Sequence, residues 1–264
     1  MPNIEHKPTE RVLNILELLA ANPSGLSMSD IAKNIDSPKT TIAPILHTMA
    51  SRNFIAFHKN TNLYTIGIET YLSGLTYYGE KSVMQFIKTE MEYAVNETNE
   101  ICQFGIRSED SVLYIAKVDS KEAIRLSSRV GKRFPLYCTA IGKALLYQAP
   151  FEKVRSLYPN GLQPLTEYTI TDFHRLFQEL EELNANKFAY EKRETNTDIC
   201  CYATPICCNQ KTIASVSISV PTYRDTPEKA VQIRGVLKRI GNTIEQYLFE
   251  NNLDENTFCA YDSL

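Results

Sequence analysis

No long apolar run occurs in this chain of 264 residues. A membrane-spanning helix needs about 20 consecutive apolar residues, and residues 1–9 are too polar for a secretory signal peptide. We therefore expect a cytoplasmic protein that makes no contact with a membrane. The seven cysteines are expected to stay reduced in that compartment.

Motifs of catalysis are also missing. The sequence has no Gly-x-Ser-x-Gly turn, no glycine-rich phosphate loop and no His-x-x-Glu type of metal helix, and it contains only four histidines. We therefore do not expect an enzyme, and no cofactor or resident metal is predicted.

Acidic residues are absent from residues 37–68, a stretch that carries Lys39, Arg52 and Lys59 together with His47 and His58. The formal net charge of the chain is −3, but residues 1–66 sum to +1 and the remainder to −4. Residues 1–66, which we call the head, are thus mildly basic and the remainder is acidic. This distribution favours a phosphate-binding surface in the head.

Three helices are predicted in this head. The first has Thr9 as its N-cap and ends near Ala21, the second is capped by Ser27 with Asp30 three residues later, and the third is capped by Ser37 with a proline next to it. The third helix has an apolar face and a face of small polar side chains, which suits the major groove of DNA.

A hairpin with a basic tip is predicted directly after the third helix, with its turn at residues 60–62. Helix-turn-helix plus hairpin indicates a winged helix-turn-helix that binds double-stranded operator DNA. The alternative is a three-helix protein-interaction module. The residues predicted to contact DNA are Ser37, Lys39, Thr40, Thr41, His47, His58 and Lys59.

Strand and helix patterns occur in blocks in the rest of the chain, which indicates an α+β domain with an antiparallel sheet. Strands are predicted at residues 101–107, 112–117, 123–128, 199–207 and 212–220, and helices at residues 139–148, 151–157, 171–184 and 227–249.

Two parts of the sequence resemble one known family. Residues 10–19, 25–27, 31–32 and 38–41 are similar to the opening of IclR-type transcriptional regulators, and residues 130–144 are similar to the signature loop and helix of their effector domain. The resemblance implies a winged helix-turn-helix at residues 1–66, a linker helix at 67–80 and a GAF-like effector-binding domain at 81–264. It also implies a homodimer or homotetramer, with repression as the expected mode of action.

One position departs from the family pattern. Pro44 stands where these regulators usually place an arginine in the recognition helix. A proline inside a helix removes a backbone donor and crowds the carbonyl four residues earlier, so we expect a kink or a tilted first turn. Base recognition would then depend on the remaining predicted contacts or on DNA shape.

The expected effector is a small organic acid or a sugar-acid-like metabolite. Backbone N–H groups of residues 140–142 lie at a predicted helix start, where an anion is favoured. Residues 201–206 and 217–221 resemble the family segments Cys-Ile-Ala-Ala-Pro-Val and Ser-Val-Ser-Gly-Pro. The resemblance implies effector contacts at Ala140, Ile141, Glu191, Cys201, Ser217 and Ser219.

Two adjacent cysteine pairs, Cys200 with Cys201 and Cys207 with Cys208, leave a second hypothesis open. They could serve a redox- or metal-sensing regulator. Adjacent residues of a strand point to opposite faces, however, and metal-binding pairs are normally two to four residues apart, so buried small hydrophobes explain them better. A third hypothesis is a catalytic domain fused to a helix-turn-helix.

Overall fold

Residues 6–78, 83–121, 129–254 and 257–258 are described by a computed structural model of the chain. The chain divides into two units, Met1–Ser82 and Val83–Leu264. The strand predicted at residues 123–128 lies outside the described residues. Within the described ranges, no helix is both long and apolar enough to cross a membrane.

The first unit contains three helices, a hairpin and a further helix. They are α1 (Lys7–Ala21), α2 (Met28–Asn34), α3 (Lys39–Ser51), β1 (Ile55–His58), β2 (Leu63–Ile66) and α4 (Ile68–Tyr78). The hairpin strands are antiparallel. The first helix begins at Lys7 with His6 as its N-cap, so the predicted N-cap Thr9 is wrong and lies inside the helix. A proline in the first turn is compatible with this earlier start.

The predicted start of α2 is confirmed in detail. The Ser27 hydroxyl accepts the backbone N–H of Asp30 at 3.2 Å, and the Asp30 carboxylate accepts the backbone N–H of Ser27 at 3.4 Å. This capping box satisfies two helix-end donors and fixes the direction of α2. The core of the unit is apolar and fully buried: Ile15, Leu19, Ile31, Ile42, Leu46 and Ile55.

The second unit is built on a six-stranded sheet, which confirms the predicted α+β class. Its strands are β3 (Ile101–Ser108), β4 (Ser111–Val118), β5 (Arg133–Pro135), β6 (Ala189–Lys192), β7 (Ile199–Cys208) and β8 (Lys211–Pro221). Its helices are α5 (Val83–Thr98), α6 (Ala140–Leu145), α7 (Phe151–Ser156), α8 (Phe173–Asn186) and α9 (Pro227–Glu250). The strand order is β5-β4-β3-β8-β7-β6, and all neighbours are antiparallel.

The two faces of this sheet have different chemistry, because side chains alternate along each strand. One face carries apolar residues such as Phe104, Val216 and Ile218, which pack against α5 and α9. The other face carries Gln103, Ser217 and their cross-strand neighbours, and α6 crosses it at β7 and β8. We call this second side the α6 face.

Three elements of the second unit differ from the sequence predictions. The short edge strands β5 and β6 were not predicted, because three or four residues are too few for an alternation pattern. The helix predicted at residues 139–148 is shorter, with Thr139 as its N-cap and Leu146 as its C-cap. The edge strand β6 carries Glu191.

Candidate functional site

The exposed side of α3 presents most of the residues predicted to contact DNA. Lys39, Thr40 and His47 are exposed, and Thr41 is half-buried. The buried side of the same helix carries Ile42, Leu46 and Met49 into the core. The helix is thus held by its apolar side while a small, polar and basic surface remains free.

Ser37 is the exception, and its predicted role as helix cap is wrong. The N-cap of α3 is Pro38, and no side chain caps the helix. The backbone N–H of Ser37 donates to the Ala32 carbonyl at 3.0 Å, which turns the residue inward to 7% exposure. Its hydroxyl is buried without a partner among the described residues, so it does not belong to the exposed surface.

Pro44 lies inside α3, which continues on both sides of it as one helix. The Thr48 hydroxyl donates to the Pro44 carbonyl at 2.9 Å. A proline here leaves the Thr40 carbonyl without its helical donor, and Pro44 itself is exposed. The middle of the exposed side therefore has no long cationic side chain.

The tip of the hairpin carries the other predicted DNA contacts. His58 and Lys59 are both exposed. The His58 ring forms a hydrogen bond with the Thr65 hydroxyl across the hairpin at 2.9 Å, and Asn62 closes the turn with a φ of 57°. The wing is therefore anchored by its own cross-strand contacts and presents its basic side chains outward.

Four of the six predicted effector contacts lie close together on the α6 face. In the strand register Glu191 pairs with Cys201, and Cys201 pairs with Ser219. The next row pairs Ala203 with Ser217 and Ser217 with Gln103. Polar side chains thus cross β6, β7, β8 and β3 in two adjacent rows.

Hydrogen bonds connect Gln103, Ser217, Ser219 and Cys201, and Glu191 is the cross-strand neighbour of Cys201. We call these five residues the serine cluster (Gln103, Glu191, Cys201, Ser217 and Ser219). The hydroxyls of Ser217 and Ser219 donate to the same atom, Gln103 Oε1, at 3.2 and 3.1 Å. The Cys201 sulfur lies 3.1 Å from the Ser219 oxygen. Both serines and the glutamine are almost fully buried, so the cluster is shielded from water.

Glu191 has an unusual environment for a carboxyl group. The residue is 1% exposed, and Oε2 accepts the backbone N–H of Glu194 at 2.9 Å. Oε1 is buried and has no hydrogen-bond partner among the described residues. Burial raises the pKa of Glu191 to about 7, against the lowering effect of the Cys201 thiol and the Glu194 amide. Near neutral pH the group is therefore protonated in a large fraction of molecules.

The remaining two predicted contacts, Ala140 and Ile141, begin α6 and are 1% exposed. Ile141 lies over β3, since a Cβ at Gly105 would be 3.1 Å from Ile141 Cδ1. The expected anion site at residues 140–142 is only partly available. The Gly142 N–H already donates to the Thr139 hydroxyl at 2.9 Å, which is the ordinary capping bond.

A buried lysine next to the serine cluster was not predicted. Lys143 Nζ lies 2.5 Å from Glu194 Oε1 and 2.5 Å from Glu179 Oε2. Burial alone would lower the Lys143 pKa, but the two carboxylates outweigh it and raise the pKa. The Lys143 ammonium is thus paired with two carboxylates of the protein itself. The lysine is visible in the sequence, but its partners lie 36 and 51 residues away and no local pattern identifies them.

Gln103 was also missed, although it is the center of the serine cluster. The available signal was a polar residue between the apolar Cys102 and Phe104. Two residues after it, Gly105 lets Ile141 approach the strand closely.

The cysteines give no support to the redox or metal hypothesis. Cys200 and Cys201 lie on opposite faces of β7, and all described cysteines are free thiols. Burial raises the pKa of Cys200 to about 11 and also raises that of Cys207, which makes reactive thiolates scarce. In the part of the chain that the structure describes, no three His, Cys, Asp or Glu side chains are placed to hold a metal ion.

Comparison with known families gives two matches that together cover most of the chain. Residues 8–58 match the IclR helix-turn-helix domain, and residues 75–246 match the C-terminal domain of bacterial IclR transcriptional regulators.

Relatives and solved structures agree with these matches. The chain is 29% identical to the regulator BhcR of Paracoccus denitrificans over 217 residues (81% of this chain and 77% of the relative). It is 27% identical to the repressor AllR of Klebsiella pneumoniae over 241 residues (90% and 89%). An IclR homolog from Microbacterium hydrocarbonoxydans, solved with 4-hydroxybenzoate, has a TM-score of 0.82 at 20% identity and covers 92% of this chain and 99% of its own.

Proposed function

The chain belongs to the IclR family of bacterial transcriptional regulators, and we propose that it is a repressor whose DNA binding is controlled by a small organic acid bound at the serine cluster. It combines the family's helix-turn-helix domain with the family's C-terminal domain. No turnover of the bound acid is required, because ligand binding alone shifts such an equilibrium when the two states differ in affinity.

The unpartnered oxygen of Glu191 is the observation that carries the proposed site. A buried polar atom without a hydrogen bond costs free energy, and a bound ligand is one way to satisfy it. With a pKa of about 7, Glu191 can act as a neutral acid and donate its proton to a ligand carboxylate. The adjacent serine hydroxyls supply further donors of the kind that fix a carboxylate.

Two relatives support the proposed class of ligand and mode of action. The Microbacterium homolog is complexed with 4-hydroxybenzoate, which is a carboxylate, and AllR is a transcriptional repressor. From these two relatives we take only the chemical class of the ligand, a carboxylate, and the mode of action, repression. For this chain, the buried polar cluster is the feature that matches such a ligand.

Thermal shift measurements test the site. We expect at least one of 4-hydroxybenzoate, benzoate, pyruvate and D-gluconate to raise the melting temperature of the wild type. The response should shrink in Ser217→Ala and Ser219→Ala. Ser215→Ala is the matched control, because Ser215 lies on the same face of the same strand but donates to the Thr204 carbonyl. No shift with any acid, or equal shifts in all variants, would contradict the site.

The proposed DNA-binding surface consists of the exposed predicted residues Lys39, Thr40 and His47 of α3 and His58 and Lys59 of the wing, with Thr41 at its edge. The helix suits a major groove, and the wing suits adjacent phosphates. Because Pro44 stands where these regulators usually have an arginine, base contacts would be made by Thr40, Thr41 and His47 instead. A protein that binds chromosomal DNA acts in the bacterial cytoplasm, which is where we place it.

We also propose that the regulator is a homodimer, or a homotetramer built from dimers. Two-fold proteins read two half-sites with one recognition helix each. The helix α4 supports this proposal, since Ile68, Tyr71 and Leu72 are 56%, 59% and 46% exposed. Light scattering of Tyr71→Ser/Leu72→Ser should show a smaller assembly than the wild type. An unchanged mass would remove α4 from the proposed interface.

A further inference from the structure

Gln103 holds both serine hydroxyls of the serine cluster. Its side-chain oxygen accepts a hydrogen bond from Ser217 at 3.2 Å and from Ser219 at 3.1 Å, and the residue is 3% exposed. A serine hydroxyl has one hydrogen to donate. In this structure both of these hydrogens are therefore directed to the same protein atom.

We propose that Gln103 is an internal occupant of the effector site, and that its carboxamide oxygen takes the position of one oxygen of the effector. This inference rests on the proposed function, because it concerns the same serines. An acid that binds the serines must first release them from Gln103. Gln103 is then a competitor of the effector and determines which ligands can bind.

Replacement of Gln103 Oε1 by a ligand oxygen as acceptor of the two serine hydroxyls is favourable only when the ligand is charged. A carboxamide oxygen is a neutral acceptor, whereas a carboxylate forms shorter and stronger charge-assisted hydrogen bonds with the same hydroxyls. A neutral amide or ester would replace one neutral acceptor by another and gain little. Gln103 therefore selects against neutral analogues of the effector.

The position of Gln103 agrees with this role. It pairs directly with Ser217 across β3 and β8, while Ser219 lies two residues further along the same face of β8. Glu191 lies beyond Cys201 in the neighbouring row, and its Oε1 still lacks a partner among the described residues. The free protein thus satisfies the serine end of the site internally and leaves the Glu191 end open.

Removing the competitor should raise affinity, whereas removing a true ligand contact should lower it. Gln103→Met keeps the length of the side chain but has no strong acceptor. Gln103→Asn keeps the amide but is too short to hold both hydroxyls, and it serves if the methionine variant fails to fold. Gln103→Glu strengthens the internal acceptor and adds a like charge.

Titration calorimetry of the full chain with 4-hydroxybenzoate, benzoate, pyruvate and the neutral 4-hydroxybenzamide tests the proposal. We expect Gln103→Met and Gln103→Asn to bind the acids about fivefold more tightly than the wild type or better, since a site that is only partly available has a reduced apparent affinity. We also expect them to gain binding of the amide, and Gln103→Glu to lose binding of the acids.

The outcomes distinguish failure of the proposed role of Gln103 from failure of the proposed acid site. Equal or weaker acid binding by the folded methionine or asparagine variant, while the wild type binds, would overturn the role of Gln103 and leave the site intact. Binding by the variants alone supports the internal occupant. If neither the wild type nor any variant binds any probe, the proposed site fails and the inference fails with it. The Ser215→Ala protein should bind as the wild type does.

Discussion

Lys143 and Glu194 form an ion pair in which both side chains are almost completely buried. Nζ lies 2.5 Å from Oε1, and the side chains are 2% and 4% exposed. The second oxygen of Glu194 accepts the Ile170 N–H at 3.1 Å, and its backbone N–H donates to Glu191. The pair therefore joins α6 to the segment that carries the proposed acid-binding carboxyl.

Replacement of Lys143 should destabilise the second unit strongly. In Lys143→Met the Glu194 carboxylate loses its buried partner, and we expect a loss of about 3 to 5 kcal/mol in the free energy of unfolding by urea. Glu179→Gln is the control, because Glu179 is 35% exposed and its loss leaves the Lys143–Glu194 pair in place. Equal losses in the two variants would contradict the role of the buried pair.

Acid binding should depend on pH through Glu191. Only the protonated form can donate to a ligand carboxylate, and the pKa is raised to about 7 by burial. Protonation is nearly complete at pH 6 and nearly absent at pH 8, so the dissociation constant of a bound acid should rise by about tenfold between them. Calorimetry at several pH values measures this change. In Glu191→Gln the curve should be flat over the same range, and a wild-type affinity that does not change would argue against Glu191 as donor.

DNA affinity should depend steeply on salt, with a contribution from each exposed cation. Lys39→Ala and Lys59→Ala should each reduce the slope of log affinity against log salt concentration by about 1, because each removes one phosphate contact. Fluorescence anisotropy with a DNA site selected by the full chain from a random library measures the slope. Lys7→Ala, at the start of α1, should leave it unchanged. A similar decrease in all three variants would show nonspecific attraction only.

Pro44→Ala should stabilise the first unit. The alanine restores the backbone donor for the Thr40 carbonyl, and alanine is about 3 kcal/mol better than proline inside a helix, so we expect a gain of 1 kcal/mol or more. Thermal unfolding followed by circular dichroism measures it. Pro38→Ala should have little effect, since Pro38 is the N-cap and lies outside the helix. If both variants behave alike, Pro44 imposes no cost on α3.

Local sequence rules predicted the parts of this fold that depend on neighbours in the chain. Ser27 and Asp30 are three residues apart, so their capping box could be recognised directly. Ser37 looked like an equally good cap, but a bond to the Ala32 carbonyl turns it into the core. The inward orientation of Ser37 depends on how α2 packs against α3, and neighbouring residues in the sequence do not determine that packing.

The effector site shows the same limit over a longer range. The resemblance to a family indicated Glu191, Cys201, Ser217 and Ser219, and the strand register brings them together. Gln103 is 114 residues from Ser217 in the sequence, and only the pairing of β3 with β8 places them in contact. Because that pairing is set by the sheet as a whole, the acceptor of the two serines could not be identified from spacing.

Control of DNA binding from the serine cluster is tested most directly by the effect of an acid on DNA affinity. The anisotropy titration with the selected DNA site should be repeated with the acid that stabilises the wild type. Because coupling energies between sites are typically 1 to 3 kcal/mol, we expect DNA affinity to fall by about tenfold in the wild type and in Ser215→Ala. In the double variant Ser217→Ala/Ser219→Ala, the DNA affinity should be the same with and without the acid. An acid that stabilises the wild type but leaves its DNA affinity unaltered would contradict control of DNA binding from the serine cluster.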